Sequence, residues 1–375
     1  MAWFRREERA SNLETAFLPT TTTDLHTWAG QNVSPDAALR LSSVWACVRL
    51  LTDTVSMMPV DVYRAGTLEP LPTPAVIASP AAGKPLHEWL AEALNSLLLR
   101  GNAYGLITAR SGATLLPSQV EMLHPDLVSA VRTGDGRIEW RIGGSVIDKS
   151  ELLHIRAHPR PGYPLGLSPV EYASQTIGLG LAVEKFGAQF FGDGCQPSGI
   201  LHTGHSIDPK QAAALQARWI SSRRNNRLPA VLSGDMTYTP VSIAPEESQF
   251  IESRHLSVSD VARIYGVPPE MIAGHSGHSQ TYANLENRAL DFLRYSISPW
   301  LVRLEHALTS LLPRNQYCKF NAGALLRTDT KTRYEAHAIA LTAGFLTVDE
   351  VRAIEDLPPL GGVAPVDLEG TGALA

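Results

Sequence analysis

The stretch from Gly266 to Pro313, GVPPEMIAGHSGHSQTYANLENRALDFLRYSISPWLVRLEHALTSLLP, constrains the fold more than any other part of the chain. Leu285, Ala289, Phe292, Ser296, Trp300, Leu304, Ala307 and Leu311 recur at steps of three and four, which puts them on one face of an α-helix. Such a helix would run roughly 45 Å at about 1.5 Å per residue. Pro299 lies inside it, so a kink is expected near Tyr295 to Ser298, where the missing N–H and the ring disturb the preceding turn. Upstream, Gly266 reads as a helix C′ residue, and Pro268-Pro269 forbids continuation. Between that stop and the long helix, Gly274, His275, Ser276, Gly277, His278, Ser279 and Gln280 form a polar loop with no apolar anchor. A polar loop hung on a long kinked helix suits a segment held out into open space better than a closed catalytic pocket.

A chain of 375 residues is long enough for two or three domains with a sizeable core. Its formal net charge is −5 and its pI near 6.2, without the basic excess of a protein that grips nucleic acid. Cys47, Cys195 and Cys318 are far apart and odd in number, which argues against a disulfide framework or a thiolate zinc site. The opening MAWFRREER has no apolar core of the signal-peptide kind, and no apolar run approaches membrane-spanning length, so neither export by that route nor a membrane span is expected.

In chain order, residues 1–33 read as an extended or flexible arm. Ser34 and Pro35 open a helix whose stripe is Leu41, Val44, Trp45, Val48, Leu51 and Val55, followed by a strand at 60–64. A second helix, with Leu86, Leu90, Leu94 and Leu97 inward, stops at Gly101 and is followed by a strand at 104–109. Short β segments at 120–123, 127–131, 137–142 and 152–155 are separated by Pro125, by Gly134-Asp135-Gly136 and by Gly143-Gly144. The region to about 165 therefore reads as an α+β domain with a mainly antiparallel sheet. Ser168-Pro169-Val170-Glu171 is a capping box opening a helix to about 192. Gly178, Gly180 and Gly187 in that helix each cost about 1 kcal/mol relative to Ala, which is tolerable where another element must approach closely. Residues 195–245 read as an inserted strand–helix–hairpin module: a strand at 197–203, a helix at 209–222 and a hairpin at 229–242. A helix then leads through Val261, Ile264 and Tyr265 to Gly266. After the long helix come a strand-like link at 320–326, a helix at 328–343 and a Thr347-capped helix ending near Pro358-Pro359.

No motif assembles a catalytic constellation. His275 and His278 lack the further ligands a metal needs, and GHSGHS has neither the spacing nor the preceding strand of a nucleophile elbow. His154 and His158, four apart on a predicted strand, would share a face without an HExxH helix. No phosphate-binding loop is present, and no cofactor is expected. Arg223, Arg224 and Arg227 form the densest basic cluster outside the N-terminus; it reads either as a solvated turn or as a contact with a partner protein or DNA phosphates.

Five stretches carry a resemblance: LRLSSVWACVRLLTDTVSMMPVDVYR (39–64), GNAYGLITAR (101–110), GLSPVEYASQTIGLGLAVEKFGAQFFGDGCQPSGIL (166–201), VARIYGVPPEMIAG (261–274) and SQTYANLENRALDFLRYSISPWLVRLEHAL (279–308). In order and spacing they resemble the portal proteins of tailed double-stranded DNA bacteriophages and their relatives in prophages and gene transfer agents. The resemblance implies a non-enzymatic ring, a dodecamer, at one capsid vertex, through which DNA is packaged and released. It implies an α+β portal fold laid out as a flexible arm (1–33), a wing (34–167), a first stem helix (168–192), a clip (193–244), a second stem helix (245–265), a tunnel loop (266–281), a long kinked helix (282–320), small crown helices (321–360) and a flexible tail (361–375). In that plan Gly274 to Gln280 face DNA in the channel, and Arg223, Arg224 and Arg227 sit at the tip of the clip. Implied partners are further copies of the chain, the large terminase subunit, a head–tail adaptor, the major capsid protein and duplex DNA passing without sequence specificity, with no membrane. The implied location is the virion, with assembly in the bacterial cytoplasm. Two rival readings are a metal-dependent hydrolase using His154, His158, His275 or His278, and a monomeric adaptor or scaffold.

Overall fold

Two helices carry the centre of the protein. Ser42–Ser56 buries Val44, Cys47, Val48, Leu51 and Val55 on one stripe, and Leu86–Arg100 buries Leu90, Leu94, Leu97 and Leu98 against it. Each fully buried Leu contributes about 1.5–3 kcal/mol through removal of apolar surface from water. The computed structural model describes residues 16–18, 25–67, 69–192, 200–203, 208–215, 217, 236–239, 257–273, 288–322, 330–355 and 357–360. The large core also takes in Tyr265, Val267, Phe292, Ile297, Trp300 and Leu304, so these residues share it with the helix pair.

The described strands pair antiparallel throughout. One sheet runs Leu152–Arg156, Asn102–Arg110, Pro117–Leu123. A second runs Ala16–Leu18, Val128–Arg132, Ile138–Ile142, Ser145–Ile147. A third runs Gln316–Phe320, Val60–Arg64, Pro70–Leu71. The fold is thus α+β, with the helix pair lying against antiparallel sheets. A smaller cluster of Tyr104, Val128, Ala130, Trp140, Leu152 and Leu165 joins the first two sheets.

Gly101 shows why the sequence must turn where it does. It ends the Leu86–Arg100 helix at φ +72°, and a β-carbon there would lie 2.3 Å from Leu167 O. Both the left-handed conformation and the close approach demand glycine. The contact brings the 157–168 segment onto the helix end, where Ala157 N–H donates to Gly101 O at 2.9 Å. Gly266 ends the 257–265 helix in the same way, at φ +65°. Val267 N–H donates to Ala262 O at 2.9 Å and Gly266 N–H to Arg263 O at 3.3 Å, the paired bonds of a Schellman motif.

Several expectations change. The helix expected after Ser34 is two helices, Pro35–Ala38 and Ser42–Ser56, and Trp45 is 52% exposed because the buried stripe turns past it. The arm is not unstructured throughout: Ala16–Leu18 adds a strand to Val128–Arg132, and Leu25–His26 pairs with Asn32–Val33. The strand placed at 320–326 lies at Gln316–Phe320, where it can pair with Val60–Arg64. Gly143 and Gly144, at φ +55° and +90°, close a two-residue hairpin that adds an unforeseen strand, Ser145–Ile147. The helix opening at Ser168 comes as Pro169–Tyr172 and Ser174–Gly192. Ser168 Oγ accepts from Glu171 N–H at 3.1 Å, but its own proton goes to Leu99 O at 2.8 Å. Of the glycines in the Ser174–Gly192 helix, Gly178 makes room for Thr27 and Gly180 for Ser257 and Leu41, all in the same chain, so these two serve packing within the chain.

Candidate functional site

The expected tunnel loop, Gly274, His275, Ser276, Gly277, His278, Ser279 and Gln280, lies outside the described residues, as do Arg223, Arg224 and Arg227. The chain on either side of 274–287 is described, and it is packed. On the upstream side the Schellman turn at Gly266 is followed by the buried Val267 and the short helix Pro269–Ala273. On the downstream side residues 288–291 are helical, and Phe292–Ile297 forms a π-helical turn before the Ser298–Thr309 helix. Pro299 sits in the first turn of that last helix. It has no N–H to donate to the preceding turn, so the ladder there widens. Ser298 backbone N–H donates to Leu293 O, five residues back, and Ser298 Oγ adds a second bond to the same carbonyl at 2.8 Å.

The two sides are tied together at this irregular turn. Ser296 Oγ donates to Gly266 O, which joins the end of the 257–265 helix to the π-helical segment. Phe292, Ser296, Ile297, Trp300 and Leu304 are all buried, so the stripe read from the sequence is the face that holds the helix to the core. Tyr265 lies in the same core, where burial raises its phenol well above the usual range. A cleft of about 190 Å³ opens beside the tie, lined among others by His158, Arg263, Tyr295, Trp300 and Arg303. Arg303 lies 4.9 Å above the Trp300 ring and donates to Pro299 O at 2.8 Å. Half-burial lowers its pKa. His158 meets the Trp300 edge-on at 6.0 Å, and burial, then the Arg303 charge, pushes its pKa down. These are packing contacts of a rigid support, with no nucleophile or acid–base pair among them.

His154 and His158 do not meet on one strand face. His154 belongs to Leu152–Arg156, whereas His158 begins a separate two-residue strand paired with Gly166–Leu167. The His154 ring stacks on Tyr104 at 4.6 Å and meets Trp140 edge-on at 4.8 Å. Its Nε2 is 2.9 Å from Asn102 Oδ1, which also accepts from Gly166 N–H at 2.7 Å. Asn102 Nδ2 in turn donates to Arg100 O and Gly166 O, both at 3.1 Å. This buried cross-tie of helix end, strand and loop was not foreseen; its one signal is an Asn placed directly after the helix-ending Gly101. Burial drops the His154 pKa to about 3, so its imidazole stays neutral. Burial also pushes the Cys47 and Cys318 thiols up to about 12, leaving no thiolate at either. Among the described residues no group of three or more His, Cys, Asp or Glu is placed to hold a metal, and no helix is long and apolar enough to cross a membrane. The hydrolase reading has no support in this geometry.

The model of the family described as phage portal protein matches residues 42–356. The probable portal protein of Streptomyces phage phiC31 is 30% identical over 358 residues, covering 88% of this chain and 78% of that one. The portal protein of Enterobacteria phage HK97 is 24% identical over 357 residues, covering 90% and 84%. A chain solved in the neck of a native gene transfer agent particle with C12 symmetry is similar in fold, with a TM-score of 0.58 at 21% identity over 87% of this chain and 94% of that one. The chain belongs to the phage portal protein family, and its function is that of a portal protein.

Proposed function

We propose that copies of this chain close into a ring of about twelve around an open channel, as the C12 symmetry of its structural relative suggests. Head-to-tail contacts close into a ring when the rotation between neighbours divides the circle. In this reading 168–192 and 245–265 form the stem, 193–244 the clip and 321–360 the crown, and Gly274 to Gln280 face DNA. The observation that carries the channel role is the platform at Gly266, Ser296 and Pro299, which anchors both sides of a segment with no apolar residue between Gly274 and Gln280. A lining of Gly, Ser, Gln and His lets phosphates pass, whereas an arginine lining would release counterions and hold them. The chain acts as wall and support and not as a catalyst; the packaging ATPase is a separate terminase subunit. Arg223, Arg224 and Arg227 contact terminase, the head–tail adaptor or DNA phosphates at the clip tip, and the wing contacts the major capsid protein. The ring assembles in the host cytoplasm and remains in the virion.

Leaving this chain out of an otherwise complete assembly system tests the proposal. Shells without packaged DNA, filled again when the chain is supplied, are expected. Normal filling without it would end the proposal. His275→Arg with His278→Arg should slow DNA passage while leaving ring assembly unchanged.

A further inference from the structure

The hairpin Leu25–His26/Asn32–Val33 is clamped onto the Ser174–Gly192 helix at two points. Thr27 is buried, and its side chain fills the notch left by Gly178, where a β-carbon would lie 2.5 Å from Thr27 Oγ1. One residue on, Trp28 N–H donates to Gln175 Oε1 at 3.0 Å. The turn itself is fixed: Gly30, at φ +70°, donates its N–H to Thr27 O at 2.9 Å, and Thr27 Oγ1 donates to Gln31 O at 2.8 Å.

On this braced backbone the Trp28 side chain is 94% exposed. Leu179, one turn after Gln175 on that helix, is 58% exposed, and Tyr172, at the end of the short Pro169–Tyr172 helix just before it, is 63% exposed. Aromatic side chains carry roughly 150–250 Å² each, so the three residues offer on the order of 400 Å² of mainly apolar surface. That reaches the size at which exposed apolar patches mark partner sites, and it is about half of the ~800 Å² each partner contributes to a stable interface. Trp and Tyr are the residue types that dominate interface hot spots, and a braced turn loses little freedom on binding. An aromatic centre without charge suits a permanent contact more than a transient one.

We infer that Trp28, with Tyr172 and Leu179, anchors the contact between neighbouring copies of this chain. The inference rests on the ring reading above, under which every copy must bury one face against each neighbour. A cyclic contact joins two different faces, so the patch need not match itself. Because the indole is so exposed, its loss leaves the fold of the single chain intact.

The test compares the full-length chain with Trp28→Ser and Trp28→Phe by sedimentation over a range of concentrations, with circular dichroism as the check on folding. Trp28→Ser should keep the wild-type spectrum and melting profile but raise the concentration for half-assembly at least about thirtyfold, the scale of a lost hot spot. Trp28→Phe should recover most of the assembly. Trp28→Ser rings that form at wild-type concentrations overturn the inference. So do normal rings that then fail to join shell or tail components, which would put another particle protein on the patch. If the wild-type chain itself never forms rings, the ring reading fails first and the inference falls with it.

Discussion

Lowering the pH should weaken the domain around His154 by an amount that its packing sets. Part of the residue's area is exposed, yet the ring stacks on Tyr104 and meets Trp140 edge-on, and this packing governs its protonation. Burial brings the folded pKa to about 3, against an ordinary 6.5. The folded value lies below the unfolded one, so the stabilisation is complete above pH 6.5 and is lost progressively as the pH falls toward 3. At pH 5 the unfolded imidazole is almost fully protonated while the folded one is still neutral. The cost is 1.36 kcal/mol for each of about 1.5 pH units, or about 2 kcal/mol. His154→Gln retains a donor for Asn102 Oδ1 and does not titrate in this range. Urea denaturation of both proteins at pH 7.5 and pH 5, followed by circular dichroism, isolates the effect, because the other titrating groups cancel in the double difference. Wild type should lose about 2 kcal/mol more than His154→Gln between the two pH values. Equal losses would show that the folded imidazole takes up its proton normally, and the account of this cluster would be wrong.

Asn102→Ala should cost about 3 kcal/mol or more in the same denaturation assay, since it strands the buried partners Arg100 O, Gly166 N–H and His154 Nε2; a loss under 1 kcal/mol would show the cross-tie to be dispensable. Gly178→Ala places a β-carbon 2.8 Å from Thr27 Cβ, an atom held by its backbone. Amide exchange in residues 25–33 should therefore accelerate, even though the helix gains about 1 kcal/mol of propensity. Gly180→Ala meets mainly the rotatable Ser257 hydroxyl, at 2.8 Å, and should leave that exchange unchanged.

The helical stripes were legible because apolar residues at steps of three and four leave few other structures open. Phe292, Trp300 and Leu304 lie where their spacing put them, and Gly101 and Gly266 take the left-handed conformation expected of helix stops. Thr347 and Glu350 form the reciprocal capping box that their spacing suggests. What local pattern could not show was partnership across long separations. Nothing near Gly178 says that Thr27, some 150 residues earlier, fills its notch, and nothing near Asn102 names Gly166 or His154. The pairing of Gln316–Phe320 with Val60–Arg64 joins segments about 250 residues apart, so its register could not be read from either alone. The candidate site divides in the same way. Its support was visible as Gly266, Pro299 and the buried stripe, whereas the Ser296 bond that ties the two sides depends on tertiary packing.

The ring itself is best tested by negative-stain imaging of the purified full-length chain. Annular particles of about twelve copies around an open hole are expected, in keeping with the C12 symmetry of the neck that holds the similar chain. A monodisperse population of single subunits at all attainable concentrations would contradict it.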